Sequence, residues 1–409
     1  MNTTVATHGL TIDGAVESLR LLVSRHEALR TRFALSGADT VEQHVDAAPS
    51  TPAELEKVIE VTTPARAAAD FAEAKRTVFD LDRHWPFKAI FSEANGSVRE
   101  IGLVADHAAL DDWGVKVARE DLELITQYGS VDKLASQVSQ PLDEVAWQQS
   151  DAGGRHLEQA LQYWTGQLRQ LNDALGVPRQ LVAPSSRQLD SRPFLSAFIA
   201  SARLPDTAER VAAALRVPVS SVFLAAFAIA VSRVTASAAV GVHAHVVNRL
   251  RGPQQASASN MFMRAPVVVK DAPLSRFRDV AAAAFAQQIR GSNYSNLERG
   301  ALERVREIEL SDEHSLVLSE AWFNFQNATV FGTDEIPSGQ LSGSGEIPLD
   351  RVHYRPGHSQ GRSFMLKVKH WRERVVLDIS WRADLLENAA ATEVLTETVR
   401  IVNDVDRAL

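Results

Sequence analysis

Between Val222 and Val231 the chain runs through ten residues without one polar side chain, Val-Phe-Leu-Ala-Ala-Phe-Ala-Ile-Ala-Val. The run is about half of the ~20 residues needed to cross a bilayer. It is rich in small residues, and Val217-Pro218-Val219-Ser220-Ser221 stands immediately before it. These features predict a capped helix buried in a soluble body, with no membrane partner. The 409 residues, at roughly 100–200 per domain, suit two packed domains or one large pseudo-symmetric body. A hydrophobic share of 45% with 23% charged residues excludes disorder as the main state. Lys and Arg total 43 against 51 Asp and Glu, a net charge of −8 with no basic run, so nucleic acid is not an expected partner. The absence of Cys excludes disulfides, thiolate–zinc sites, iron–sulfur clusters and a cysteine nucleophile. It fits a reducing compartment. The polar opening Met1-Asn2-Thr3-Thr4 leads into no apolar stretch of signal-peptide length, and a cytoplasmic location is expected.

Apolar spacing at Val16, Leu19, Leu22, Val23 and Leu29 predicts a first helix over Gly14–Phe33, with Asp13 as its N-cap. A helix around Ala65–Thr77 follows. Strands are expected at Phe87–Phe91 and Val98–Ala105 around the turn Glu93-Ala94-Asn95-Gly96. The second strand runs into His107, and a helix covers about Trp113 to Tyr128. After the helix Leu157–Leu171, the Pro- and Ser-rich stretch Pro178–Pro193 marks a boundary. Domains of 1–176 and 177–409 result. The second half reads as strands near Ser196–Ala202, Ala239–Val247, Phe364–Trp371 and Val375–Arg382, with helices at Thr207–Leu215 and Ala389–Val405. Residues 274–308 read as helical, 317–326 as extended, and Gly332–Pro348 as a Gly/Ser-rich loop.

No Walker loop, dinucleotide-binding glycine fingerprint, zincin motif or nucleophile elbow occurs. The sharpest local feature is Ala105-Asp106-His107-Ala108-Ala109-Leu110-Asp111-Asp112-Trp113. An imidazole at the end of a strand, four residues before a carboxylate, suits a general base near neutral pH. The same residues also suit a plain turn, with Asp111 or Asp112 capping the helix. Arg25-His26-Glu27-Ala28-Leu29-Arg30-Thr31-Arg32-Phe33 closes the first helix. Cations are favoured at a helix C-terminus, but the density of charge around Leu29 and Phe33 also suits one buried Arg committed to a distant acid. His243 and His245 share one face of a predicted strand. They suit channel lining, a metal site completed by a third ligand, or ordinary packing; with no acidic partner nearby, no metal is expected. Trp322, Phe323 and Phe325 suit either a pocket or the core.

The two charged stretches together resemble the condensation-domain superfamily, which includes the condensation domains of nonribosomal peptide synthetases and chloramphenicol acetyltransferase. Arg25 to Phe33 matches the family's Arg-His-Glu-x-Leu-Arg-Thr-x-Phe motif at every specified position. Asp106 to Asp112 aligns with its His-His-x-x-x-Asp-Gly motif. Phe79-Asp80-Leu81 with Pro86-Phe87, Asp143 to Gln148, Tyr163-Trp164, Val240-Gly241, Asn248-Arg249 and Phe323 to Gln326 are similar to family segments along nearly the whole chain. Two departures stand out, Asp106 in place of the first His and Asp112 in place of Gly. The family's opening Ser-x-Ala-Gln-x-Arg motif is absent.

The resemblance implies an α/β fold of two chloramphenicol-acetyltransferase-like lobes forming a V-shaped pseudo-dimer with a central channel. It implies His107 as the catalytic residue at the channel's midpoint, and a structural ion pair between Asp111 and Arg30. Asp106, Asp112, Trp113, His243, His245 and Asn324 would line the channel. No cofactor would be bound; the phosphopantetheine arm of an acyl or peptidyl carrier protein would deliver the acyl thioester to a small amine or alcohol. The implied activity is a free-standing condensation-type acyltransferase of specialised metabolism, working as a monomer. The alternative is a noncatalytic docking domain that recruits a tailoring enzyme to a carrier-bound peptide. Retained His107 favours the first; Asp106, Asp112 and the absent opening motif favour the second.

Overall fold

A computed structural model describes residues 1–36, 40–175, 194–270, 276–297, 300–302, 304–305, 321–327, 350–356, 364–383 and 386–409. The expected Pro178–Pro193 boundary stretch and the Gly332–Pro348 loop lie outside the described residues. The chain forms two compact units: Met1–Gly153 with Arg249–Phe262, and Gly154–Asn248 with Met263–Leu409.

The first unit is built on a sheet of β1 (Asn2–Leu10), β4 (Ile59–Thr62), β5 (Phe87–Ala94) and β6 (Ser97–Ala105), in the order β1-β6-β5-β4. Both faces of the central strands β5 and β6 are covered, so these two carry buried apolar residues on each side. Phe87, Ala89 and Phe91 of β5, with Ile101 and Leu103 of β6, meet Leu19, Leu22 and Val23 of α1 (Ile12–Arg25) and Val117, Leu122 and Ile125 of α3 (Asp112–Tyr128). Ile90 and Val104 point the other way, to Phe71 and Ala74 of α2 (Pro64–Ala74). The β5–β6 turn places Asn95 at φ 55° and Gly96 at φ 80°, the left-handed pair that a tight hairpin requires.

The first helix ends earlier than its apolar spacing predicts. Thr11, not Asp13, is the N-cap, its hydroxyl accepting from the Gly14 N–H at 3.1 Å. His26 breaks the helix in an extended conformation, Glu27–Arg30 forms one 3₁₀ turn, and Thr31–Ser36 becomes strand β2. β2 pairs antiparallel with β3 (Thr40–Val45) in a separate two-stranded ribbon. The unit also holds α4 (Pro141–Gln148) and the start of α5 (Asp151–Ala174).

Among the described residues the second unit has a seven-stranded mixed sheet. In chain order the strands are β7 (Phe194–Ser201), β8 (Ala239–Val246), β9 (Met263–Lys270), β10 (Ala321–Asn327), β11 (His353–Pro356), β12 (Phe364–His370) and β13 (Val375–Arg382); their spatial order is β11-β7-β13-β12-β10-β8-β9. One face carries Ala197, Ile199, Val242, Phe323, Leu366, Leu377 and Trp381 into a core with α6 (Leu204–Leu215) and α7 (Val219–Thr235). The one-turn helix α8 (Gly252–Gln255) belongs to the first unit, while α9 (Phe277–Asn293) and α10 (Asn388–Ala408) complete this core. Val222 to Val231 is buried throughout within α7, as the sequence predicts. No single helix among the described residues is long and apolar enough to cross a membrane. At the sheet border, Gln287 of α9 accepts from the Val268 N–H and donates to its carbonyl, both at 2.8 Å.

The units differ from the division at 176/177 in two respects. From Gly154 onward, α5 belongs to the second unit, where Leu168, Leu171 and Leu175 bury themselves against Ala239 and Val268. Residues 249–262 leave the second unit between β8 and β9 and become part of the first.

Candidate active site

Strand β6 ends at Ala105, and the next five residues form a turn built by Asp106. Its N–H donates to Pro86 O at 2.8 Å, its carbonyl accepts from Ala109 and Leu110, and its Oδ1 accepts from the Ala108 N–H at 2.8 Å. A carboxylate bonding the amide two residues on is a turn-former. Asp106 therefore shapes the loop that presents His107.

The His107 side chain is exposed; two contacts from its own unit hold the ring and a third holds its backbone. Nδ1 lies 3.0 Å from Leu110 O. A carbonyl only accepts, so Nδ1 carries the proton in the neutral ring and Nε2 keeps its lone pair. Asn260 Nδ2 donates to His107 O at 2.7 Å, and the Phe262 ring tilts against the imidazole with centroids 5.4 Å apart.

Asp111 caps α3 and is buried. Oδ1 accepts from the Gly114 N–H at 2.7 Å and Arg249 Nη2 at 2.9 Å; Oδ2 accepts from Arg249 Nη1 at 2.7 Å and the Met261 N–H at 2.9 Å. Four donors fill the acceptor capacity of a carboxylate. Asp111 has no lone pair for proton transfer and serves as a structural anchor. Its cation is Arg249, and the Arg30 assignment is corrected. Arg30 sits on the 3₁₀ turn, bonding Asp46 O and lying 3.8 Å from Glu27. Arg249 also donates to Ser259 O at 2.8 Å, tying residues 249–261 around the start of α3. The fit is close at Gly114, where an added Cβ would stand 2.4 Å from Ser259 O.

The remaining first-motif side chains hold the same frame. Arg25 and His26 both bond Asp121 Oδ2 of α3 at 2.8 Å, and His26 Nδ1 accepts from the Ala258 N–H at 3.3 Å. Nε2 is then the protonated nitrogen of a neutral ring. Burial pushes the His26 imidazole below its ordinary pKa, against the pull of Asp121. Burial pushes Asp121 upward, but its bonds to His26 and Arg25 outweigh that and leave it below the ordinary carboxylate range.

Asp112 is the first residue of α3 and half-buried, where the helix dipole favours a negative charge. Trp113 is half-buried, donating Nε1–H to Gln255 O at 2.9 Å beneath Lys116. One unit thus brings together Asp106, His107, Asp111, Asp112 and Trp113. Sequence reasoning missed the roles of Arg249, Asn260, Phe262 and Asp121. Two signals for Arg249 were available: Asn248-Arg249 is one of the segments similar to the family, and a buried acid at Asp111 requires a cation.

His243, His245 and Asn324 lie in the second unit. His243 is buried between Trp164 and Trp322, with ring centroids 5.9 and 4.7 Å away, and His245 meets Trp322 edge-on at 5.6 Å. Arg264 stands over the same indole. Among the described residues no three metal-ligating side chains of the His, Cys, Asp and Glu types gather. Asn324 is half-buried on β10, in register with Lys367 of β12.

A family model for the condensation domain matches residues 3–407. The chain belongs to the condensation-domain family. The probable non-canonical nonribosomal peptide synthetase CymA of Salinispora arenicola is 27% identical over 180 residues, covering 41% of this chain and 2% of that protein. The chain therefore spans only a small part of the length of this curated relative. Among solved structures, the condensation domain that mediates chain release from the enacyloxin polyketide synthase superposes with a TM-score of 0.72 at 16% identity, covering 99% of this chain and 78% of that one. The X-domain from teicoplanin biosynthesis gives 0.68 at 16% identity, covering 100% and 90%. At these identities the likeness is one of fold, and the α/β architecture is that of condensation domains.

Proposed function

We propose that this protein is a condensation-type acyltransferase of antibiotic-type specialised metabolism. It would take an acyl group from the phosphopantetheine thioester of a carrier protein and pass it to an amine or alcohol. The observation that carries this reading is the His107 ring, with Nδ1–H engaged by Leu110 O and Nε2 left as the acceptor. Nε2 would accept the proton of the nucleophile as its nitrogen or oxygen bonds the thioester carbon. The carbon–sulfur bond then breaks, and the proton passes to the departing thiolate. Positioning supplies much of the rate in such a reaction, and a general base adds about 10²–10⁴-fold. Asp111 and Arg249 support the turn without touching the reacting atoms.

Asp106 and Asp112 favour a second reading, a docking domain of the kind represented by the teicoplanin X-domain, which has been solved in complex with OxyB. The two readings separate in one experiment. Acyl-loaded carrier proteins are incubated with the chain and an acceptor mixture, and products are followed by mass spectrometry. Acyl transfer by the wild type, lost in His107→Ala with carrier binding intact, supports the enzyme. No transfer with any loaded carrier, together with binding of a tailoring oxygenase, supports docking.

A further inference from the structure

The ribbon of β2 and β3 is a sheet of two strands, a size that is marginal in water by itself. It is anchored at its base. Arg32 bonds the Asp46 carboxylate at 2.9 Å, Trp85 Nε1–H donates to the same group at 2.9 Å, and the Phe33 N–H donates to Leu81 O at 2.8 Å. Further out, the paired residues Leu35 and Val41 are 80% and 56% exposed.

The hydrogen bonds fix which way the backbone of β3 faces. The Phe33 N–H points away from β3, so Phe33 and its partner Gln43 form a non-hydrogen-bonded pair. The Asp46 N–H donates to Arg30 O at 3.0 Å, which sets the alternate, bonded pairs at Arg30/Asp46, Arg32/His44 and Ala34/Glu42. The N–H and C=O groups of Val41, Gln43 and Val45 therefore face the open border of β3. Among the described residues nothing bonds to them.

The strand on that border is Val41-Glu42-Gln43-His44-Val45. Its two ends are the same residue, its centre is neutral, and a carboxylate and an imidazole flank the centre. The carboxylate and imidazole already lie 3.4 Å apart on one face, the face that also carries Arg32 and Asp46. An antiparallel copy of this strand matches it when the two-fold axis passes through Gln43.

We propose that β3 pairs antiparallel with β3 of a second copy of the chain, making a four-stranded ribbon across the dimer. Gln43 then opposes the partner's Gln43, exchanging both backbone hydrogen bonds, and Val41 does the same with the partner's Val45. Glu42 stands directly across from the partner's His44, and His44 from the partner's Glu42. On the other face Leu35 and Val41 continue onto the partner's Val45. The contact is isologous, so it closes at two copies.

Sedimentation velocity of the full chain at rising concentration tests this, with the wild type forming a dimer at concentrations below about 1 mM. Gln43→Pro removes an N–H that faces the open border and leaves the bonds within the ribbon in place; it should weaken the dimer by about tenfold or more. His44→Glu sets carboxylates against carboxylates, and Glu42→Lys with His44→Lys sets ammonium groups against each other. Each of these proteins alone should be monomeric, and an equimolar mixture of the two should associate. A wild type that stays monomeric throughout overturns the proposal. So does a dimer indifferent to Gln43→Pro, or a pair of charge variants that remain monomeric when mixed.

Discussion

Asp111 and Arg249 are 138 positions apart in sequence and meet through two hydrogen bonds with both side chains buried. Removing the charge of one partner leaves the other buried without compensation, which costs about 3–5 kcal/mol. Asp111→Asn should therefore lower the urea midpoint sharply, whereas Arg30→Ala, which leaves that pair untouched, should cost far less. His107 is exposed, so His107→Ala should leave thermal stability nearly unchanged while removing about 10²–10⁴-fold of turnover. His26 sets a pH dependence. Its folded imidazole is held below the ordinary value by burial, as are those of His156 and His370. In the window between the folded value and the unfolded value of ~6.5, the unfolded chain binds more protons. Stability should thus fall as pH is lowered through that window, and a urea series from pH 7 to 5 should show a flatter slope for His26→Gln.

The elements around the site differ in how far the sequence discloses them. β6 and α3 are legible because a short apolar run, Ile101 to Ala105, gives way to helical spacing across a polar turn, and the Asp111 cap sits where the pattern changes. The early end of α1 is hidden for a physical reason. Leu29 keeps the apolar spacing and is buried, but from the 3₁₀ turn and not from the helix, so the pattern runs on past the break at His26. The Arg249 contact is hidden in another way: a partner 138 residues off leaves no local period. Gly114 likewise reads as an ordinary helix residue until Ser259 is seen against it. Gly114→Ala would force residues 257–259 off the start of α3, and overpacking of this kind costs about 1–3 kcal/mol. Calorimetry of that variant should show the loss. Turnover should fall with it, because Asn260 and Phe262 would shift relative to His107.

For the whole molecule, the fold class was legible from motifs distributed along the chain, while the division into units was not. A contiguous cut at Gly153 strands Asp111 without Arg249, His26 without the Ala258 amide and His107 without Asn260. Met1–Gly153 expressed alone should give a cooperative transition that is weakened or absent by circular dichroism, and joining residues 249–262 to it through a flexible linker should restore stability. The far border of the large sheet holds a different device. A single carboxamide, that of Gln287, satisfies both main-chain groups of Val268 where a neighbouring strand would otherwise bond. It acts as a counterfeit strand, and fibrillar stacking of molecules border to border is denied its template there.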